Sequence, residues 1–313
     1  GAGGGYDLYA RVIARHNSRY LAGAPAFVVQ NMPGASGVRA MNFLYNVAAK
    51  DGSYIGMLPN FSSLAPFYKV KQAQFDSNKF NWLGSPSQEF SVFVLWHDVP
   101  FKTVGEARGR QVILGSAGAA GTGAFYARVL GTVFGLNFKL IQGYGGLGDA
   151  FLAMERGEIQ GYPSVFWNTL KSTKEEWVKQ GKVKFLVQWS KSPDPALKDV
   201  PYAGDLAGND DDRKMIEIAA VPLKLGRPVA APPGVPEDRL AALRDGLVGT
   251  FKDAAYRRDC KNQNLDCTAP VTGEELADVI RRVYAAPDAV RERLVGIYHE
   301  GRKNRKKKKK KQQ

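Results

Sequence analysis

The sequence has few of the residues that usually build metal sites and nucleophilic active sites. Its 313 residues include two cysteines and three histidines. No Cys or His cluster accompanies Cys260 and Cys267, which argues against a zinc site. No histidine adjoins a G-x-S-x-G motif, and no phosphate-binding P-loop is present. We therefore expect no catalytic residues, no metal and no cofactor, although an enzyme on the same fold remains an alternative.

Long apolar runs are also missing. No stretch approaches the roughly 20 apolar residues that cross a membrane, and no signal peptide is recognisable. Hydrophobic residues still make up 44% of the chain, which is enough for a sizeable core. A chain of this length fits two domains of ordinary size or one large domain.

The positive charge is unevenly distributed. The formal net charge is +14, and nine positive charges lie within residues 302–311, which leaves +5 for the rest. We interpret residues 301–313 as a basic disordered tail. The alternative is a nucleic-acid or polyanion-binding arm. The body lacks a nucleic-acid motif, so we expect no nucleic-acid partner, and its residual charge suits an acidic ligand.

Two glycine-rich turns near the start each lead into a helix-like run. They are residues 3–7 (GGGYD) and residues 33–37 (PGASG). A helix that begins there directs unpaired N–H groups and its positive dipole end at what lies in front, which attracts carboxylates. Two alternatives stand for the first turn: a flexible terminal remnant, or a dinucleotide loop without the G-x-G-x-x-G spacing. The two turns together predict one shared pocket for an anion.

Four further segments complete a family pattern. They are residues 50–57 (KDGSYIGM), 114–118 (LGSAG), 143–146 (GYGG) and 230–236 (AAPPGVP). With the two glycine turns, in this order, they resemble the solute receptors of tripartite tricarboxylate transporters, the Bug/TctC-like binding proteins. The resemblance extends to about residue 286.

The resemblance implies an α/β fold and a function. The fold would be a two-lobe periplasmic binding protein (type II-like), with two sheets flanked by helices and a hinge of two crossing segments. The protein would be a periplasmic monomer that closes around a small organic acid and delivers it to the permease subunits of a membrane transporter. A secretion signal and a first strand would precede residue 1.

Three positions depart from the family pattern. Residues 121–124 (GTGA) stand where serine and histidine are usual, Gly145 replaces a lysine, and Gln160 replaces an acid. The second lobe has therefore lost polar side chains, and the identity of the ligand cannot be transferred from other members.

Alternating strand and helix signals support the α/β class. We predict strands at 27–30, 53–58, 90–96, 111–114, 138–141 and 184–189, and helices at 6–21, 38–49, 123–134, 148–156, 276–284 and from Pro236 onward. Domain 1 would comprise residues 1–101 and 229–300, and domain 2 residues 102–228. The chain would cross between them near 98–104 and 222–230.

The predicted ligand-binding residues fall in both lobes. In the first lobe they are Gly5, Tyr6, Asp7, Pro33, Gly34, Ala35, Ser36, Gly37, Phe61 and Ser62. In the second they are Ser116, Ala117, Gly121, Thr122, Tyr144, Gly146 and Ser164. Backbone N–H groups would donate to the ligand, and Asp7 would stabilise its own helix. A turn-forming role is the alternative for each hydroxyl.

Cys260 and Cys267 lie seven residues apart. In an oxidising compartment they could close a short loop as a disulfide. Two unrelated thiols are the alternative, since the geometry of a disulfide is strict.

Overall fold

The computed structural model describes residues 5–118, 121–191 and 194–310 of an α/β fold with two sheets flanked by helices. The chain divides into two compact units. Unit 1 comprises Gly1–Glu89 and Val221–Ala285, and unit 2 comprises Phe90–Ala220 and Ala286–Gln313. The described helices are α1 (Gly5–Asn17), α2 (Val38–Asn46), α3 (Val104–Ala107), α4 (Thr122–Phe134), α5 (Leu147–Glu155), α6 (Trp167–Lys179), α7 (Asp210–Leu225), α8 (Glu237–Lys252), α9 (Ala254–Asn262), α10 (Gly273–Tyr284) and α11 (Asp288–Lys310).

The strands are short. They are β1 (Gly56–Met57), β2 (Asn81–Ser85), β3 (Ser91–Trp96), β4 (Gln111–Ser116), β5 (Asn137–Gln142), β6 (Gly161–Phe166), β7 (Val183–Gln188), β8 (Val229–Ala231) and β9 (Val271–Thr272). The short 3-10 turns Ala35–Gly37 and Ser62–Leu64 lie in unit 1.

Unit 1 is built on an antiparallel sheet in the order β1-β8-β2-β9. Helices α1 and α8 share one apolar core. In α1 the buried positions Tyr9, Val12 and Ile13 follow helical spacing and meet the leucines of α8 in that core. Helix α10 begins with a complete capping box, in which Thr272 and Glu275 bond each other's backbone N–H.

Unit 2 is built on a mixed sheet in the order β5-β4-β6-β3-β7. Strand β4 runs parallel to β5 and β6, whereas β3 is antiparallel to β6 and β7. Strand β3 lies in the interior of the sheet, and its residues Ser91 to Leu95 are all buried. An uninterrupted apolar run is typical of a strand covered on both faces.

Residues 27–30 do not form the predicted strand. Within the described residues no strand pairs with them, and Val28 is 79% exposed. A strand requires a neighbour for its backbone hydrogen bonds, so β propensity alone cannot hold this segment in a sheet.

Strand β6 and helix α6 were not predicted from the sequence. Pro163 lies inside β6, and proline normally argues against an interior strand because it cannot donate to the ladder. Helix α9 was missed as well.

The units differ from the predicted domains in three segments. Residues 90–101 belong to unit 2, because β3 pairs with β6 and β7. Residues 221–228 belong to unit 1, and residues 286–300 to unit 2, where α11 packs against α4 through Tyr298 and Phe125. The chain therefore passes between the units at three points, after Glu89, Ala220 and Ala285, whereas two crossings were predicted.

Helix α11 continues through residue 310, which corrects the prediction of a disordered tail for residues 301–310. Lysine and arginine are good helix formers, and no proline interrupts this run. Residues 311–313 of the predicted tail lie outside the described residues. In the part of the chain that the structure describes, none of the helices is both long enough and apolar enough to span a membrane.

Candidate functional site

The first turn of α1 is joined to the second glycine turn through Asp7. This carboxylate is buried at 5% exposure. Its Oδ1 accepts hydrogen bonds from Asn31 Nδ2 and Arg11 Nε, both at 3.0 Å. Asn31 lies two residues before the turn at residues 33–37, so the structure brings the first turn of α1 beside that turn in unit 1, whereas residues 3 and 4 of the first glycine turn lie outside the described residues. Gly5, a predicted site residue, is the first residue of α1.

The turn after Pro33 has an unusual backbone. Gly34, Ala35, Ser36 and Gly37 all have positive φ, at 134°, 46°, 56° and 91°. The left-handed region costs a non-glycine residue about 1–2 kcal/mol, so two in succession need outside support. Ala35 and Ser36 are exposed, and their N–H groups have no acceptor within the described residues.

The loop at residues 59–62 supplies that support. Ser62 Oγ donates to the Ser36 carbonyl at 2.7 Å. A Cβ on Gly37 would lie 2.2 Å from the Pro59 ring, so only glycine allows this approach. The hydroxyl hydrogen of Ser62 is therefore engaged in the turn, as the turn-forming alternative expects, and its predicted place beside the ligand stays a prediction. Phe61, half-buried, stacks on Tyr68 with ring centroids 5.7 Å apart.

The side chain of Tyr6 meets a group that the sequence does not reveal. Its hydroxyl accepts the Asn60 N–H at 2.9 Å, and the guanidinium of Arg227 lies 4.9 Å from its ring centre. Arg227 in turn pairs with Glu89 at 3.0 Å. Burial raises the pKa of Tyr6, and the charge of Arg227 partly opposes that rise. These partners come from three distant stretches of chain, so no local motif could have identified them.

In unit 2 the predicted residues gather at the carboxyl edge of the sheet. Strands β4 and β5 run parallel and end side by side, with Ser116 opposite Gln142. Helices α4 and α5 begin just beyond these ends, capped by Gly121 and Gly146. Helix N-termini at the carboxyl ends of parallel strands are the usual anion-binding position of α/β folds.

Several donors at this edge are already used by the protein. Ser116 Oγ donates to the Gly118 carbonyl at 2.9 Å and also accepts the Gly118 N–H. Burial raises the pKa of the Tyr162 phenol, and a hydrogen bond that the Ala117 backbone N–H donates to the phenol oxygen partly opposes this rise. The Ser116 hydroxyl and the Ala117 N–H therefore have partners within the protein, as the turn-forming alternative expects for Ser116, and their contact with a ligand stays a prediction. Thr122 is exposed, and at the start of α4 its N–H has no helical acceptor.

The start of α5 is partly neutralised by its own carboxylate. Asp149 Oδ2 accepts the Gly145 N–H at 2.9 Å, next to Gly146. Tyr144 is half-buried against the core of unit 2, and burial raises its pKa. Ser164 Oγ lies 2.7 Å from Ser91 Oγ. The N-terminus of α4 is therefore a better position for an anion than that of α5.

Cys260 and Cys267 are joined by a disulfide in unit 1. It ties the end of α9 to a loop whose Asp266 carbonyl accepts the Tyr9 hydroxyl at 2.8 Å. Among the described residues, no three His, Cys, Asp or Glu side chains group to hold a metal ion.

Comparison with known proteins agrees with this architecture. A solved TctC solute-binding protein from Polaromonas superposes with a TM-score of 0.75 at 20% identity, covering 96% of this chain and 95% of that one. MatC from Rhodopseudomonas palustris, with bound malate, gives 0.58 at 18% identity, over 94% and 96%. An R. palustris protein with adipate gives 0.56 at 18% identity, over 95% and 94%. At these identities the likeness establishes the fold.

The family follows from the sequence profile. The profile described as the tripartite tricarboxylate transporter family receptor matches residues 9–283. No curated protein matches the chain. Since the profile covers most of the sequence, the chain belongs to the TctC family of solute-binding receptors of tripartite tricarboxylate transporters.

Proposed function

We propose that this receptor binds a small organic acid through main-chain N–H groups. The observation that carries the proposal is the pair of glycine turns in unit 1, which Asp7 and Asn31 hold together at 3.0 Å. In one of them, Ala35 and Ser36 are exposed residues whose N–H groups have no acceptor among the described residues. A carboxylate would supply the missing acceptor oxygens.

Unit 2 offers a second donor group at the start of α4. The N–H groups of Thr122 and Gly123 lie in the first helical turn, where they have no helical acceptor. A dicarboxylate would suit two donor groups, and malate and adipate occur in two relatives of the same fold. That one ligand contacts both groups stays a prediction from the sequence.

The proposal also covers the location of the receptor, its oligomeric state and its partners. The receptor would act in the periplasm as a monomer and hand its ligand to the permease subunits of a tripartite transporter. A receptor role needs no turnover, and the family is a receptor family. We propose no nucleic-acid partner, so removing residues 302–311 should leave ligand binding intact and abolish any salt-dependent binding of DNA.

A thermal-shift screen over mono-, di- and tricarboxylates tests the proposal, with malate and adipate included. At a ligand concentration one hundred times Kd, stabilisation should reach about 2.7 kcal/mol. The matched control replaces each carboxylate by its uncharged amide, which cannot accept charge-assisted hydrogen bonds. If no acid shifts the melting temperature, or if the amides act equally well, the proposal is wrong.

A further inference from the structure

An ion pair is buried where the two segments of unit 1 meet. Arg227 Nη2 lies 3.0 Å from Glu89 Oε1, and their side chains are 16% and 9% exposed. Arg227 Nη1 also donates to the Gly226 carbonyl at 3.3 Å. The backbone N–H of Arg227 donates to Ser85 Oγ, so the residue is fixed at both ends.

This arginine is poorly placed to grip an anionic ligand itself. Glu89 neutralises its charge, and both terminal nitrogens already have partners. Its Nε is buried and has no hydrogen-bond partner among the described residues. The guanidinium also donates a hydrogen bond to the Tyr6 phenol oxygen, and it lies against two aromatic rings on α1, with centres 4.9 Å away for Tyr6 and 5.5 Å for Tyr9. Cation–π contacts of this kind fix the position of a ring.

The hydroxyl of Tyr6 is held on its acceptor side. It accepts the Asn60 N–H at 2.9 Å. Asn60 is itself anchored, because its Nδ2 donates to the Pro222 carbonyl and its Oδ1 accepts the Phe61 N–H. A phenol has one hydrogen to donate, and that of Tyr6 has no acceptor within the described part of the chain.

The position of the Tyr6 hydroxyl favours a role in ligand binding. Asn60 immediately precedes Phe61 and Ser62, and Ser62 bonds the exposed turn through Ser36. The Tyr6 side chain therefore ends beside the loop that supports one glycine turn, while its backbone belongs to the other.

The geometry points to the Tyr6 hydroxyl as a side-chain hydrogen-bond donor to the ligand carboxylate, with the Arg227–Glu89 pair acting as a positioning pair through the Tyr6 ring. This inference rests on the proposed function. It adds side-chain recognition to a site predicted to use main-chain donors.

Calorimetric titration of the full chain with malate and adipate tests the inference. Tyr6→Phe keeps the ring against Arg227 and removes only the hydroxyl. We expect its Kd to rise about tenfold or more, which is about 1.4 kcal/mol, because the ligand carboxylate loses a charge-assisted hydrogen bond. Tyr9→Phe is the matched control: it removes a hydroxyl from the other ring beside Arg227, one that donates to the Asp266 carbonyl. Its Kd should stay within about twofold of wild type, although its melting temperature falls.

Arg227→Lys separates positioning from a merely structural role. It keeps the charge opposite Glu89 and loses the planar group that lies against the rings. In the wild-type background it should weaken binding, and in the Tyr6→Phe background it should have no further effect on Kd. A structural role would lower the melting temperature by similar amounts in both backgrounds and would show no such dependence in Kd.

Each outcome decides a different claim. If wild type binds none of the acids, the proposed function fails and this inference fails with it. If wild type binds and Tyr6→Phe binds equally well, only the inference is overturned. If Arg227→Lys weakens both backgrounds equally, the positioning role is overturned while the Tyr6 hydroxyl remains a donor.

Discussion

The contact between Asp7 and Asn31 supports a quantitative prediction. Asp7→Ala removes a buried carboxylate at the N-terminus of α1 together with its hydrogen bond to Asn31. The charge at the helix start contributes about 0.5–1 kcal/mol, and the charge-assisted bond about 1.5 kcal/mol. Arg11 is 45% exposed, so its ion pair adds only about 0.5 kcal/mol. Because removal also relieves the cost of desolvating a charge, we expect a net loss of about 2 kcal/mol.

Urea unfolding and thermal melting measure this loss. For a unit of this size, about 2 kcal/mol lowers the melting temperature of unit 1 by about 4–8 °C. Asn31→Ala removes the partner from the other turn and serves as the second arm of a double-mutant cycle. If the bond joins the turns, the double variant should lose about 1 kcal/mol less than the sum of the single variants.

Ligand affinity provides the second readout. Loss of the bond frees the turn at residues 33–37, so the Kd for a carboxylate should rise in Asp7→Ala and in Asn31→Ala alike. Additive effects on stability, within about 0.5 kcal/mol, would show that the two residues do not interact. Together with an unchanged Kd, they would refute the reasoning that the two turns form one structural group.

Further predictions concern backbone space, the disulfide and a buried acid. Gly161→Ala should destabilise unit 2 by about 3 kcal/mol or more in urea unfolding, because its Cβ would lie 2.3 Å from a carbonyl oxygen of β3. Gly148→Ala, in open space within α5, should instead stabilise by about 0.5–1 kcal/mol, and equal effects would contradict the packing. Reducing the bond between Cys260 and Cys267 should cost about 2–3 kcal/mol in a melt with and without dithiothreitol, and no change would contradict a closed loop. Burial raises the pKa of Glu89 above 4.5, so the stability of wild type relative to Glu89→Gln should fall as pH rises from about 4.5 through the folded pKa, and a flat difference would argue against the burial.

Local sequence signals located some of the strands of this fold and missed others, among them β2, β6, β8 and β9. Apolar runs that contain β-branched residues indicate the strands at 90–96, 111–114 and 184–189. Thr272 and Glu275 indicate the start of the helix that follows Thr272. The prediction of a strand at residues 27–30 was wrong because pairing with a neighbouring strand, which is non-local, decides whether an extended segment is a strand. Strand β6 was missed because Pro163 contradicts the local rule, while neighbouring strands supply the burial.

The candidate site also has features that the sequence predicts and features that it does not. The signals for glycine turns and helix starts lie within a few consecutive residues, so the positions of these features could be predicted. The use of each hydroxyl could not, since Ser62 and Ser116 each satisfy backbone carbonyls that only the folded chain brings near. Arg227 and Glu89 lie 138 residues apart in sequence, and no spacing rule connects them.

The most direct test of the account is a titration of the ¹⁵N-labelled receptor with malate and adipate, followed by amide NMR. Main-chain recognition predicts that the largest downfield amide proton shifts occur at Ala35 and Ser36, and at Thr122 and Gly123 if the same ligand reaches unit 2. Saturable binding whose shifts avoid all four amides would contradict the claim that these turns hold the carboxylate.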